Sequence, residues 1–400
     1  MVTLSGPDQA CLAGAEGPGM AMAMDLVVAT ADQMGATELL DITSAHIDSC
    51  LFHGMAGLDF VRRLVDGGAA VAVPATLNVS SLDLLHPDLY RGDETTARLA
   101  RELMDAYVAL GCTPTWTCAP YQQVNRPRFG EQVAWAESNA TVFVNSVLGA
   151  RSNRYGDFID ISCAITGRAP AVGLHLDQGR HPTLHLEIGQ SLGDLIDEDW
   201  FYPTFGYVLG ELAGAAVAIV TGLPPGLSED RLKSIGASAA TSGSVALFHA
   251  AGSTPEAEQF DIQQLPKFTV EREALEAVHT RLSTAVGRVD AISLGAPHYS
   301  GTELRNLLDG LAGRRVRIPT YVNTSRDQIA SLSSVIVELE ALGLTIVTDT
   351  CTYITPILDP EVGVVMTDSA KWAHYAPGNL GVEVVYAPLA DCIGAAVNGG

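Results

Sequence analysis

Ala291-Ile292-Ser293-Leu294 followed by Gly295-Ala296-Pro297-His298 is a short, largely apolar run that ends in turn-forming residues and a histidine. A run of this length bounded by turn signals reads as a strand buried on both faces, the kind found inside parallel sheets. The arrangement recurs in both directions along the chain. Gly68 to Val73 (GAAVAV) runs into Pro74-Ala75-Thr76-Leu77-Asn78, and Thr141 to Val144 runs into Asn145-Ser146. Arg317 to Val322 runs into Asn323-Thr324-Ser325-Arg326, and Leu344 to Val347 into Thr348-Asp349-Thr350-Cys351. Gly363 to Met366 runs into Thr367-Asp368-Ser369-Ala370-Lys371. In open α/β sheets, ligands collect where strands end and loops project into a crevice. Polar strand ends drawn from such distant segments therefore predict one shared cleft.

Helical patterns lie between these runs. Glu94 to Leu110, Val270 to Val286 and Ser325 to Leu342 are closed by Gly111, Gly287 and Gly343, and glycine is the residue that most readily ends a helix. Pro203 to Gly222 contains YVLGELAGAAVAIV, rich in glycine and alanine, and reads as a buried helix packed closely on its neighbours. Breaks are expected at Gly222 to Gly226 and at Gly252 to Gln264. The expected fold is α/β and multi-domain, with parallel or mixed sheets flanked by helices and an active-site cleft at the strand carboxyl ends. A chain of 400 residues exceeds one ordinary core, and subdomains are expected near 1–200, 201–288 and 289–400.

Composition narrows the function. With 46 Asp and Glu against 23 Lys and Arg, the net charge of −23 repels nucleic acid and anionic membrane. No stretch has the length of apolar residues that a membrane span needs, and Met1 to Gly19 has no secretory pattern. The seven cysteines are odd in number and scattered, so a cytoplasmic location without disulfides is expected. P-loop, G-x-S-x-G and H-E-x-x-H motifs are absent, which removes those NTPases, hydrolases and metalloproteases.

No cysteine pair has C-x-x-C spacing, so a metal site must be assembled from distant residues. Cys118, in TWTCAPY after an apparent strand, and Cys351, at a strand end, are better placed than Cys11, Cys50, Cys112 and Cys392, which read as small core residues. Cys163 lies beside Thr166-Gly167-Arg168. Arginines follow other strand ends: Arg151 and Arg154, then Arg168, and Arg326 at a helix start. Their planar fork suits a carboxylate.

At particular stretches the chain resembles aconitase X. They are Ser44-Ala45-His46, Pro74 to Asn78, Thr117 to Tyr121, Trp135 to Ala140, Asn145 to Arg151 (NSVLGAR), Ile165 to Pro170 (ITGRAP), Ser242 to His249, Gly295 to Ser300, Asp349 to Cys351 and Ser369 to Pro377. The resemblance spans nearly the whole chain in order. It implies an iron-dependent hydro-lyase acting on a small hydroxy acid, completed by a swivelling domain. That domain is expected here on a separate small subunit, since nothing before Gly400 reads as one.

The resemblance further implies Cys118 and Cys351 as iron–sulfur ligands. Where some members have Gly-Cys-Pro-His, this chain has Gly295-Ala296-Pro297-His298, so Cys163 is the expected replacement ligand. The altered set points to a [2Fe–2S] cluster, with a cubane cluster or mononuclear iron as alternatives. Lys371, His46, His298 and Ser146 are expected as catalytic groups; Asn145, Arg151, Thr76, Asn78, Ser325 and Arg326 are expected around the substrate. The expected reaction is dehydration of cis-3-hydroxy-L-proline to Δ1-pyrroline-2-carboxylate. Alternatives are dehydration of mevalonate 5-phosphate, a cluster-free binding subunit, and an iron-free lyase.

Overall fold

The computed structural model describes residues 2–400, which form two units: one runs to Ser81 and resumes over Asp93–His181, the other comprises Leu82–Gly92 and Pro182–Gly400. The chain thus leaves the first unit for a short strap, Leu82–Gly92, before returning to it.

The first unit contains β1 (Leu39–Asp41), β2 (Ser44–Ile47), β3 (Ala75–Leu77), β4 (Val133–Trp135) and β5 (Arg168–Pro170). β1 and β5 form an antiparallel pair, while β2 lies between β3 and β4 in a parallel sheet. β2, β3 and β4 are buried throughout, as a parallel sheet covered on both faces requires.

Two expected strands are not strands. Gly68 to Val73 is irregular, with β3 beginning just beyond it. The N–H groups of Ala69, Val71 and Ala72 go to the carbonyls of Leu64, Leu110 and Ala164, three separate places that no single partner strand could supply. Thr141 to Val144 lies within the helix Ser138–Ser146, capped by the Glu137 side chain, which accepts from the Ala140 N–H at 2.5 Å. Residues 139–146 are all buried. A helix buried on every side shows the same unbroken apolar run as an inner strand.

The second unit holds two wholly parallel sheets. β6 (Leu184–Ile188), β7 (Ala218–Thr221), β8 (Phe248–Ala250) and β9 (Lys267–Val270) are ordered β8-β7-β6-β9. Because β6 pairs with β7, this sheet begins before residue 201. The apolar run after Pro203 divides into the helix Phe201–Ala213 and strand β7 instead of forming one helix. Its glycines serve close packing on the helix Glu229–Ser242: a Cβ on Gly206 would sit 2.3 Å from the Ile235 carbonyl oxygen.

β10 (Ala291–Tyr299), β11 (Thr320–Thr324), β12 (Thr345–Val347), β13 (Val364–Thr367) and β14 (Glu383–Tyr386) follow, in the order β12-β11-β10-β13-β14. The order reverses at β10, which makes its carboxyl end a topological switch point. Register between β10 and β11 shifts after Leu294, where Gly295 takes a φ of +84° and a Cβ would lie 2.2 Å from the Asn323 carbonyl oxygen. Only glycine fits there. The predicted helix Ser325 to Leu342 is two, Arg326–Ser331 and Ser333–Ala341.

Candidate active site

In the second unit, the bulged end of β10 carries His298 and the loop after β12 carries Cys351, both buried. A ring nitrogen of His298 and the Cys351 Sγ lie within 4.8 Å of each other. His298 Nε2 is 3.0 Å from the Thr350 carbonyl oxygen, a contact that places the proton on Nε2 and the lone pair on Nδ1. The Cys351 loop is held from several sides. Thr352 N–H donates to Asn323 Oδ1 at 3.1 Å, Trp372 Nε1 donates to Thr352 Oγ1 at 3.1 Å, and the Thr350 and Thr355 hydroxyls meet at 2.5 Å. The strap adds Asp83, whose carboxylate accepts from Thr348 N–H at 2.8 Å and Thr348 Oγ1 at 2.9 Å.

Below His298 lies a buried ionic group. Lys233 Nζ contacts Glu303 Oε2, lies 3.3 Å from Asp230 and donates to the His298 carbonyl at 3.4 Å. Burial pushes Glu303 up to about 7 against the opposing pull of Lys233. Lys233 and Glu303 line a cavity of about 40 Å³ with Ala296, Asp368 and Ser369.

In the first unit, the ends of β2, β3 and β4 bring together His46, Asn78, Asp48 and Glu137. His46 Nδ1 is 2.9 Å from Thr76 Oγ1, and its buried Nε2 has no hydrogen-bond partner. Burial holds the ring neutral, lowering its pKa to about 4. Asn78 Nδ2 donates to Asp48 Oδ1, while Asn78 Oδ1 is buried without a partner. Burial, then the charges of Glu137 and Asp157, raise Asp48 to about 7. Cys118 joins this edge, because Thr117 N–H donates to the Leu77 carbonyl at the end of β3 and Asn139 Nδ2 fixes the Cys118 carbonyl at 2.8 Å.

The sequence also matches three family models laid end to end: the aconitase X first domain over residues 1–178, the second over 182–280 and the third over 289–398. The chain belongs to the aconitase X family. Among its relatives, cis-3-hydroxy-L-proline dehydratase of Pseudomonas aeruginosa is 42% identical, over 98% of this chain and 69% of that protein. The phosphomevalonate dehydratase large subunit of Methanothermobacter thermautotrophicus is 36% identical, over 93% of each chain. The crystal structure of Thermococcus kodakaraensis aconitase X (holo-form) superposes with a TM-score of 0.91 at 31% identity, covering 99% of this chain and 100% of that one.

Against this frame, several expected site residues of the aconitase X chain have other work. Cys163 faces inward on the helix Ile159–Thr166, its thiol pushed up by burial and then by Asp160. It belongs to no set of three potential metal-binding side chains among the described residues, so the replacement expected for Ala296 is not met. Asn145 Oδ1 accepts from Ser152 N–H and from buried Arg180, both at 3.0 Å, and its Nδ2 donates to the Ser152 carbonyl at 2.8 Å. That amide is a structural lock. Ser146 ends the same buried helix. Arg151 pairs with Asp177 and donates to the His175 carbonyl, and Arg168 pairs with Asp8 and Asp41.

Arg326 is expected to hold substrate but instead grips Asp349, with Nε to Oδ1 at 2.6 Å and Nη2 to Oδ2 at 2.7 Å. Ser325 is the N-cap of that helix, accepting from the Gln328 N–H at 3.3 Å. Lys371 lies buried in the first turn of the helix Ala370–Leu380, beneath its Ser369 cap. Thr76 supports His46. Of the cysteines read as core, Cys50, Cys112 and Cys392 are buried and Cys11 is partly exposed; none of the seven forms a disulfide. No helix among the described residues is long and apolar enough to cross a membrane.

Asp48, Asp83, Arg180, Lys233 and Glu303 escape the sequence reading. Asp48 alone had a local signal, as an acid two residues beyond His46 at a strand end. The others depend on partners tens to hundreds of residues away.

Proposed function

We propose that this chain is the catalytic subunit of an iron-dependent hydro-lyase that dehydrates cis-3-hydroxy-L-proline. The observation that carries the reading is the buried His298–Cys351 pair at the switch point of the third-domain sheet, in a chain 42% identical to a dehydratase of that name. A thiol and an imidazole lone pair are the donor chemistry that iron and iron–sulfur centres accept. In this reading His298 stands where Cys163 was expected. When bound, the iron centre supplies Lewis acidity for the departing hydroxyl.

The chain's own residues prepare the rest. The Thr350 carbonyl fixes the His298 tautomer, and the strap and Asn323 hold the Cys351 loop rigid. Lys371, in the first turn of its helix, brings positive charge suited to the substrate carboxylate, on which charge builds as the neighbouring proton leaves. The C2 proton passes to a base and the C3–O bond breaks, releasing water. The resulting C2=C3 enamine moves a proton from nitrogen to C3, which gives Δ1-pyrroline-2-carboxylate. The base is assigned to a small partner subunit, a partner supported by the name "large subunit" that several relatives carry.

Mevalonate 5-phosphate is the second reading, supported by the relative at 36% identity. It fits less well, because a phosphate and a carboxylate call for uncommitted arginines, and Arg151, Arg168 and Arg326 are each spent on an aspartate. The test is co-expression with a small partner subunit, anaerobic reconstitution with iron and sulfide, and assay of both substrates. Turnover of cis-3-hydroxy-L-proline, with thiolate-to-iron absorption lost in Cys351→Ala, is expected. A colourless protein, or turnover of mevalonate 5-phosphate alone, overturns the proposal.

A further inference from the structure

The first-unit sheet edge carries more negative charge than its own structure uses. Four carboxylates, those of Asp48, Glu137, Asp157 and Asp160, act on one another there. Two have evident structural duties. Glu137 caps the helix Ser138–Ser146. Asp160 accepts from Asp48 N–H at 2.7 Å, Ser49 N–H at 3.1 Å, Ser49 Oγ at 2.9 Å and Ile161 N–H at 2.6 Å. Asp48 is different. Its neighbour is the Asn78 amide, and the charges acting most strongly on it are those of Glu137, Asp157 and Asp160, all negative.

A second, independent observation points to a ligand. The same Asn78 amide that donates to Asp48 has its oxygen buried and without a partner, on a residue only 2% exposed. A buried acceptor left unmade costs about 1–3 kcal/mol, so it persists where something supplies a donor. An anionic oxygen beside an unmet acceptor asks for a cation with two N–H bonds. A secondary ring ammonium has two. A phosphate or a second carboxylate would meet repulsion from the whole cluster.

The position fits as well. Asp48 follows β2, Asn78 follows β3 and Glu137 follows β4, so adjacent parallel strands deliver these groups to one edge. Cys118 is tied to that edge through Thr117 and Asn139.

We propose that Asp48 and Asn78 form the subsite for the substrate's ring ammonium, with Asp48 as the pairing carboxylate and Asn78 Oδ1 as the second acceptor. This rests on the hydroxyproline reading. It deepens that reading by naming what separates the two substrate classes, since mevalonate 5-phosphate has no nitrogen and only negative charge.

The test compares the reconstituted holoenzyme with its Asp48→Asn variant, which keeps the side chain's size. The KM for cis-3-hydroxy-L-proline should rise about 10- to 100-fold, the worth of one hydrogen-bonded charge, while kcat changes by less than about 3-fold. Calorimetric binding of L-proline and of cyclopentanecarboxylate, which lacks the nitrogen, gives a second measurement. The wild type should prefer L-proline at least about 10-fold, and Asp48→Asn should lose the preference. An unchanged KM, or equal binding of both compounds to the wild type, overturns the subsite. A wild type that binds L-proline selectively yet dehydrates no hydroxyproline sinks the functional reading and leaves the subsite standing. If Asp48→Asn fails to fold, the wild-type binding ratio still decides.

Discussion

Two parallel-sheet edges of this chain gather ionisable groups, and they differ in how many of their acids have a cationic partner. At the ends of β2, β3 and β4 the acids outnumber any cation that acts on them, and burial raises Asp48 to about 7 and Asp160 to about 6. At the ends of β10 to β13 most of the acids are paired, Asp349 with Arg326, Glu303 with Lys233 and Asp83 with His86, while Asp368 has the Tyr299 hydroxyl and is raised by burial to about 6. An edge whose charges are already answered is built to hold a loop still. One whose charges are unanswered is built to receive something. The second edge therefore suits a rigid ligand pair such as His298 and Cys351, and the first suits a cationic substrate group.

The most forceful way to break this contrast is to make the second edge resemble the first. Arg326→Ala leaves the fully buried Asp349 carboxylate without its bidentate partner, two residues from Cys351. Removing one member of a buried pair costs about 3–5 kcal/mol, so denaturant unfolding should show a loss of that size. The double variant Arg326→Met with Asp349→Asn removes both charges while keeping an acceptor for the Leu84 N–H, and should recover more than half. A loss under about 1 kcal/mol for Arg326→Ala would mean that water already screens the pair, as at an exposed ion pair.

These pairings also explain what could be read from the amino-acid sequence. The β10, β12 and β13 runs were legible because short apolar segments ending in polar residues are what inner parallel strands produce. Thr141 to Val144 misled for the same reason, since a helix buried all round leaves an identical trace. Cys351 and Cys118 stood at visible loop positions, and His298 at the marked end of the β10 run. Arg326 and Arg151 looked like carboxylate binders because a guanidinium's partner cannot be seen from its own neighbourhood, and the chain had supplied Asp349 and Asp177. Lys233 was invisible because it sits in the middle of a helical pattern, and only the fold brings Glu303, 70 residues on, against it.

A gentler probe of the contrast uses pH. Asp160 is harder to ionise in the fold, its pKa raised from the ordinary 3.8 to about 6 by burial, against the hydrogen bonds that favour the anion. Between those values the folded chain holds a proton that the unfolded chain has already lost. Stability from this group therefore falls as pH rises from about 4 to about 6 and is level above that. The change is on the order of 3 kcal/mol, and Asp48 adds to it in the same direction up to about pH 7. Equilibrium unfolding of wild type against Asp160→Asn across pH 4 to 7 should show the variant's curve flatter in that window. Parallel curves would show that Asp160 ionises as easily folded as unfolded, and that the first edge carries no such load.

The smallest effect belongs to the strap, and its sign is reversed on the acid side. Burial raises Asp83, but hydrogen bonds from His86 and the Thr348 N–H outweigh it, and its pKa ends below the ordinary value. His86 ends above its ordinary value, first through that hydrogen bond with Asp83 and against its own partial burial. Asp83 thus contributes stability above about pH 4 that disappears as pH falls through its lowered pKa. His86 contributes below about pH 6.5 and loses its share as pH rises through its raised one. Docking of Leu82–Gly92 should accordingly be firmest between these limits. His86 is partly solvated, so His86→Ala should cost only about 0.5 kcal/mol at pH 6 and nothing measurable at pH 9. Hydrogen exchange of the Thr348 N–H, which donates to Asp83, reports it directly when variant and wild type are compared at each pH. A protection difference that stays constant from pH 6 to pH 9 would show that His86 packs against the strap without charging it.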